Sequence, residues 1–451
     1  MSSTAPKPAP VRRRDDSPQV LAVKALRTID RTRGFSNRIV GDLLERSAGL
    51  VGGARGLVTS LVYGVLRHRT RLDAHIDACA RDPKGLGAVP RELLRVGAYE
   101  IIELGRAPGN AIGHAVHAAR AFDPSRTLSG LVHGVLGSIA QGAAELDARL
   151  ATGSPLDVLE RRYSIPRWLA GRWLGRLGPD VALARAQRVC EVPSVDLRVD
   201  LTRIDAGTTR LRLLEERPQA VVETVIDMPQ ALRVRGGGDL FFGALHDEGL
   251  VSVQGLAAQQ PAIVLAPAAG DRVLDACAGI GVKTLQLAEL MHRRGLLVAA
   301  DREPGKLAEQ ARLTERGRMG EGTLDLRFVA ADLTEPCAEL LELAPFDGIV
   351  LDVPCTGLGN LARHPEIRWH RQYADIAAAA EQQNRLLARL WPLLRAGGRL
   401  VYAACSAESE EGPAVVRAAL EGGPLELTSE RTWTPEADGT EGFYVAELTR
   451  R

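Results

Sequence analysis

The sequence predicts a multidomain α plus α/β chain: an all-α bundle, a small mixed α+β segment, then an open, doubly wound sheet. Three observations predict it. Apolar residues recur at helical spacing from about Gln19 to Leu150. A glycine-containing segment with two strand-like runs follows. After about residue 251, short apolar strands alternate with helical stretches, the pattern of a parallel sheet covered on both faces.

Residues 1–17 are rich in Pro, Ser, Ala and Arg, so a disordered tail is expected there. In the bundle, expected over residues 18–150, Leu57, Leu61, Val62, Val65 and Leu66 recur at helical spacing, as do Leu93, Leu94, Gly97, Ala98, Ile101 and Ile102. Asp82-Pro83-Lys84-Gly85 and Arg106-Ala107-Pro108-Gly109 break the helices. The mixed segment, residues 151–250, reads as helix over Arg167–Arg176 and strand over Ser194–Leu201 and Ala231–Leu240, with Gly236-Gly237-Gly238 as a turn. From 251 to 451, strands are expected at Arg272–Ala276, Leu296–Asp301, Leu326–Ala331, Gly348–Asp352 and Arg399–Ala404. Helices are expected between them, including Thr284–His292 and Asp375–Leu394.

The 451 residues suffice for two or three domains, and 45% hydrophobic with 25% charged residues is ordinary for a soluble globular protein. No apolar run approaches the roughly 18 residues that cross a bilayer, and nothing near Met1 resembles a signal peptide. Six cysteines without a Cys-x-x-Cys pair point to a reducing cytoplasm. The nine histidines are dispersed, and the close pair His114 and His117 lacks partners at metal spacing, so no metal is expected. Net charge is only +1, yet residues 1–150 carry 22 Lys and Arg against 14 Asp and Glu. A basic amino-terminal module on a neutral chain suits a nucleic-acid partner, although solvated basic faces are common.

Two cysteines stand just past consecutive strands: Cys355 in Asp352-Val353-Pro354-Cys355, and Cys405 in Tyr402-Ala403-Ala404-Cys405-Ser406. Residues leaving the carboxyl ends of neighbouring parallel strands face one crevice, where ligands bind. Two thiols and a carboxylate converging there suggest covalent chemistry. The other cysteines read as packing residues, with Cys277 beneath the turn that ends the first strand. That turn, Asp275-Ala276-Cys277-Ala278-Gly279-Ile280-Gly281-Val282-Lys283-Thr284, lets a ligand approach backbone at a helix amino terminus, and it also reads as an ordinary tight turn. Asp301, ending the second strand, suits two ribose hydroxyls. Asp332, after the third, faces the same crevice or caps the next helix.

These residues resemble the RNA cytosine-C5 methyltransferases of the NOL1/NOP2/Sun group, most of all the bacterial 16S ribosomal RNA enzymes with a NusB-like amino-terminal domain. The resemblance runs from about Gln19 to the end. Its most specific parts are Leu351-Asp352-Val353-Pro354-Cys355-Thr356-Gly357, Arg363-His364-Pro365-Glu366-Ile367-Arg368-Trp369, and Tyr402-Ala403-Ala404-Cys405-Ser406 with Glu410-Glu411. Gly64-Val65-Leu66-Arg67, Arg95-Val96-Gly97-Ala98-Tyr99 and Gly134-Val135-Leu136 look like the NusB-like bundle.

The resemblance implies a Rossmann-like domain that uses S-adenosylmethionine to methylate small-subunit ribosomal RNA, with no membrane or metal and a monomeric chain. It implies Cys405 as the nucleophile on cytosine C6, Cys355 in proton removal and release, Asp352 at the pyrimidine edge near N3, and Lys283 in the same pocket. For the cofactor it implies Cys277, Ala278, Gly279, Ile280, Gly281, Lys283 and Asp352, with Asp301 on the ribose and Asp332 on the adenine. The family motif Ala-Pro-Gly-Gly-Lys-Thr stands here as Gly279-Ile280-Gly281-Val282-Lys283-Thr284. Val282 is β-branched and resists positive φ, so a left-handed backbone there would require a remodelled loop. Two alternatives remain at this point: a catalytically weakened RNA-binding or ribosome-assembly factor on this scaffold, and a nicotinamide-dependent dehydrogenase.

Overall fold

The computed structural model describes residues 17–451 except 48, 49, 51, 52, 239, 241, 242 and 422. The tail expected over residues 1–17 therefore lies, Ser17 apart, outside the described residues. The chain forms two compact units, the first ending at Ile165 and the second starting at Pro166.

The first unit is helical. Its helices are Pro18–Thr32, Ser36–Glu45, Ala54–Arg67, Arg69–Cys79, Ala88–Ile102, Pro108–Phe122, Thr127–Leu150 and Pro155–Arg161. The first, the sixth and the last open with a proline in the first turn, where its missing N–H costs no bond. Leu21, Leu26, Ile29, Leu61, Leu66 and Leu72 are fully buried, as the helical periodicity expects. No helix among the described residues is long and apolar enough to cross a membrane.

The second unit contains two sheets. In the smaller, β1 (Val195–Val199), β2 (Val221–Val225), β3 (Met228–Arg235) and β4 (Val251–Val253) pair antiparallel in the order β2-β3-β1-β4. The strand expected over Ala231–Leu240 ends at Arg235, because Gly236 turns the chain with a φ of 68°. Strand β2 was not expected: it is short, and its alternate residues are exposed.

The larger sheet holds β5 (Arg272–Ala276), β6 (Arg294–Asp301), β7 (Thr323–Ala330), β8 (Phe346–Asp352), β9 (Leu394–Ala404), β10 (Leu425–Trp433) and β11 (Phe443–Arg450), in the order β10-β11-β9-β8-β5-β6-β7. Strands β5 to β9 pair in parallel. The expectation of a wholly parallel sheet needs correction, since β11 runs antiparallel to both β9 and β10. Residues 434–442 join β10 to β11 and hold only the one-turn helix Pro435–Asp438, too little chain for a parallel crossover of a dozen or more residues. The helix expected to reach Leu394 stops at Leu390, followed by Trp391-Pro392 and the early start of β9.

Leu274, Val298, Ile349, Val350, Leu351, Val401 and Tyr402 are fully buried, which is why the central strands read as unbroken apolar runs. The chain winds from β5 outward through β6 to β7, then returns to β8 on the other side of β5. The crevice at the carboxyl ends of β5 and β8 is thus the switch point where an open α/β sheet takes its ligand.

Gly359 closes the loops over this crevice. Its N–H donates to the Cys405 carbonyl at 3.1 Å, and its carbonyl accepts from Gly442 N at 2.9 Å. A Cβ at Gly359 would lie 1.8 Å from the Gly442 oxygen. Gly359→Ala should therefore cost about 1–3 kcal/mol, as other overpacking changes do. Urea unfolding of the full chain checks this, and an unchanged midpoint would contradict the close approach.

Candidate active site

The site begins with strand pairing. Asp352 at the end of β8 lies opposite Ala403 of β9, and Val353 N donates to Ala403 O at 2.9 Å, so both chains leave the sheet side by side. Three residues past Asp352 is Cys355; two past Ala403 is Cys405. Their sulfurs stand 2.8 Å apart, with a thiol of one hydrogen-bonded to the other. That hydrogen bond, burial and the negative charge of Cys405, Glu411 and Asp352 together raise the Cys355 pKa well above the ordinary thiol value. Cys355 therefore keeps its proton in the resting site.

Lys283 comes from the helix Val282–Leu290 that follows β5. Its Nζ donates to Asp352 Oδ2 at 2.6 Å and lies 5.9 Å from the centre of the Phe443 ring. Burial opposes its charge but is outweighed by Asp352, Asp275 and Cys405, so its pKa is raised and the ammonium persists. Lys283, Asp352, Cys355 and Cys405 thus form one cluster.

The glycine turn lies beside it. Cys277, Gly279 and Gly281 have φ values of 61°, 60° and 90°. Val282 is the first residue of its helix and has no positive φ, so the valine demands no remodelled loop. Among the described residues, nothing lies within 4 Å of a Cβ built on Gly279, which leaves a backbone cradle open to the crevice. At Gly281 a Cβ would instead strike the Gln310 side chain. Ala278 N donates to Ala300 O, and Ile280 is 38% exposed at the tip of the turn. Cys277 packs against the core around Leu274 and Ala276, and burial, then Asp301 and Asp352, raise its thiol pKa.

Asp301 is 6% exposed at the end of β6, where Oδ2 accepts from Gly279 N and Oδ1 from Glu303 N, both at 2.9 Å. Asp332 is exposed beyond β7, accepting from Thr334 N at 2.9 Å and Thr334 Oγ1 at 2.7 Å. It does not cap the next helix, Ala338–Leu343, whose N-cap is Cys337. No hydrogen bond joins Asp332 to the thiol cluster among the described residues.

Two carboxylates with no role in the sequence reading prove to be buried here. Asp275 lies under the turn, accepting from Thr284 Oγ1 at 2.6 Å, while Gln310 donates to the same hydroxyl. Its Oδ1 has no hydrogen-bond partner among the described residues, and burial pushes its pKa up to about 7. A charged residue inside the apolar run Val273-Leu274-Asp275-Ala276 was the available signal. Glu411, also fully buried, touches the residue after each cysteine.

An open sheet of this strand order, with a glycine cradle and acidic residues at the next strand ends, defines a Rossmann-like methyltransferase domain, which follows a helical unit in the sequence. The chain belongs to the 16S rRNA methyltransferase RsmB/F family, whose model matches residues 262–449; the NusB family model matches residues 16–141. The ribosomal RNA small subunit methyltransferase B of Escherichia coli O157:H7 is 31% identical over 412 residues, 88% of this chain and 91% of that one. The crystal structure of PH0851 has the same fold, with a TM-score of 0.78 at 24% identity over 96% of this chain and 98% of that one. A methyltransferase homologue from Pyrococcus horikoshii is 26% identical, covering 66% of this chain and all of its own, with a TM-score of 0.58. The dehydrogenase alternative falls with this membership.

Asp275 gives a pH test. Its folded pKa is raised, so the folded chain holds the proton more tightly than the unfolded one. The carboxyl therefore favours the fold most below about pH 4 and progressively less up to about pH 7. Asp275→Asn should remove that slope, gaining on the order of 4 kcal/mol relative to the native chain across the window. Denaturant unfolding at a series of pH values measures it, and parallel curves for the two chains would contradict the buried proton.

Proposed function

We propose that this chain transfers the methyl group of S-adenosylmethionine to C5 of a cytosine in 16S ribosomal RNA, through a covalent bond between Cys405 and C6. The observation that carries the reading is the pair of thiols 2.8 Å apart at adjacent strand ends, beside the Lys283–Asp352 ion pair.

The crevice suits the cofactor. The open cradle at Gly279 has room for the methionine portion, the Asp301 carboxylate at the end of β6 suits the ribose hydroxyls, and the exposed Asp332 suits the adenine amino group. When bound there, S-adenosylmethionine supplies the methyl group that C5 takes up.

Cytosine C5 is a poor nucleophile until a thiolate adds at C6. Cys405 serves as that thiolate, accepting the Cys355 S–H. Its attack forms the S–C6 bond and moves the C5=C6 electron pair onto C5 and through C4 toward N3, splitting one hard step into two easier ones. Asp352 hydrogen-bonds the pyrimidine edge near N3, and the Lys283 ammonium it holds offsets the negative charge developing there. Attack also changes Cys355. Once the Cys405 sulfur is a thioether, its hydrogen bond and its charge no longer raise the Cys355 pKa, while burial, Glu411 and Asp352 still do. Cys355 then releases its proton to solvent water more readily and, as the thiolate, accepts the C5 proton. The electron pair left at C5 re-forms the double bond and expels Cys405.

The target base must first be unstacked, at a cost of a few kcal/mol. The helical unit with its basic excess is the part proposed to hold the surrounding RNA, through phosphates and shape. Nothing in the structure favours a non-catalytic RNA-binding factor. Its support was the altered turn, and Val282 sits in ordinary helix.

Calorimetry with S-adenosylmethionine, with and without unmodified 16S RNA, tests the cofactor half; micromolar binding is expected, and no binding in either condition would overturn it. Cys405→Ala should abolish methyl transfer and any covalent RNA adduct, and a persisting adduct would identify a different nucleophile. Cys355→Ala should accumulate an RNA adduct that survives denaturing electrophoresis. A fully active variant without adduct would refute the release role.

A further inference from the structure

The buried carboxylate of Glu411 has no place in the chemistry above, yet it is the best-connected polar group around the thiols. It sits in the single turn Ser409–Glu411, fully buried. Its Oε1 accepts from Thr356 N at 2.6 Å and from Gln383 Nε2 at 3.4 Å. Its Oε2 accepts from Thr356 Oγ1 at 2.5 Å and Ser406 Oγ at 2.7 Å. Thr356 follows Cys355 and Ser406 follows Cys405. The same Gln383 amide donates to Pro354 O, on the other side of Cys355, at 3.0 Å. Tyr402, three residues before Cys405, donates its hydroxyl to the Glu411 carbonyl at 2.7 Å.

We propose that Glu411 is the positioning residue of the two-thiol site, one carboxylate that bolts the segment after Cys355 to the segment after Cys405 and thereby sets the distance between the sulfurs. The proposal deepens the methyltransferase reading and rests on it for its purpose, though not for its geometry.

Three physical points support it. First, strand pairing ends before the thiols are reached. The β8–β9 ladder holds Asp352 against Ala403, but Pro354 has no N–H, so backbone pairing cannot continue along the segment that carries Cys355. The next backbone bond between the two segments is Gly359 N to the Cys405 carbonyl, four residues beyond Cys355, and the Glu411 carboxylate ties them at Thr356 and Ser406, the residues directly after the thiols. Second, the carboxylate is expensive where it stands. No Lys, Arg or His forms an ion pair with it among the described residues, and burial raises its pKa against the hydrogen bonds that lower it. A fully buried carboxylate with neutral donors alone is a poor way to add stability. Its value lies in geometry, because one group with two oxygens can bind two segments at once, through bonds stronger than neutral ones. Third, the turn that carries it is itself held. Arg172 donates to Glu408 Oε2 at 2.6 Å and to Glu410 Oε2 at 2.7 Å, from the helix Arg167–Leu177. Glu408, itself buried, and Glu410, partly exposed, thus pair with Arg172 while Glu411 binds the residues after the thiols.

The test reads sulfur-to-sulfur geometry without RNA or cofactor. The full chain is equilibrated with reduced and oxidised glutathione, which takes two electrons and two protons from the thiol pair as it becomes two reduced glutathiones. The Cys355–Cys405 disulfide is then counted by peptide mass. Freeing the two segments lowers the effective concentration of one thiol at the other, so Glu411→Ala should lower the equilibrium constant roughly tenfold or more. Glu411→Gln keeps an acceptor for Thr356 N and gains a donor for a hydroxyl, so it should stay within roughly threefold of the native chain. Melting curves and circular dichroism establish that the variants are folded. Should Glu411→Ala fail to fold, Ser406→Ala, which removes the side-chain link to the Cys405 segment, takes its place with a smaller loss in the same direction. A folded Glu411→Ala or Ser406→Ala chain with the native equilibrium would overturn the proposal. Because neither cytosine nor S-adenosylmethionine is present, failure of the methyltransferase reading would leave this result unchanged.

Discussion

The parallel register of β8 with β9 is the constraint on which the site depends. It sets Asp352 against Ala403 and sends two chain segments out of the sheet in one direction, into one crevice. Shifting the register by a residue would turn every side chain of β9 to the other face and separate the two thiols. The buried apolar residues Ile349, Val350, Leu351, Leu400, Val401 and Tyr402 make such a slip costly, because each would exchange one packed face for another. Packing in the middle of the sheet thus becomes chemistry at its edge.

A second set of bonds ties the remaining cluster member to this frame. Lys283 projects from the helix Val282–Leu290, and the small sheet grips that helix at both ends. Arg198 of β1, 1% exposed, donates to Glu289 through Nε and Nη2, each at 2.9 Å, and to the Val282 carbonyl at 3.0 Å. Gln254, just past β4, donates to Gln286 at 2.9 Å and also binds Arg198. A buried arginine that reaches the first turn and the last turn of one helix fixes its position along its axis. The Lys283 ammonium thus meets Asp352 from a helix held near both ends.

Much of this was legible in the sequence, and the reasons for the rest are physical. Central strands buried on both faces read as apolar runs, so β5 and β8 were placed within two residues and the cysteines beyond β8 and β9 could be paired in one crevice. Edge strands do not read that way. In β10 the residues between Leu425 and Trp433 are mostly exposed and polar, and the run looks like a loop. Asp352, Cys355 and Cys405 stood out because thiols and a charge at strand ends are conspicuous, whereas Lys283, inside a helix, came only from the family resemblance. Glu411 was not given a role, since a glutamate in a short polar turn looks solvated until the fold buries it. The concern over Val282 came from reading a motif position without its dihedral, and the helix begins at Val282, two residues before the expected Thr284.

The most direct measurement is the identity of the product. Purified protein, S-adenosylmethionine and unmodified 16S ribosomal RNA are incubated together, the RNA is digested to nucleosides, and these are separated and weighed. Methyl transfer to cytosine C5 predicts 5-methylcytidine, formed only when protein and cofactor are both present. Methyl groups on another base or another atom, or none at all from protein that binds both partners, would contradict it.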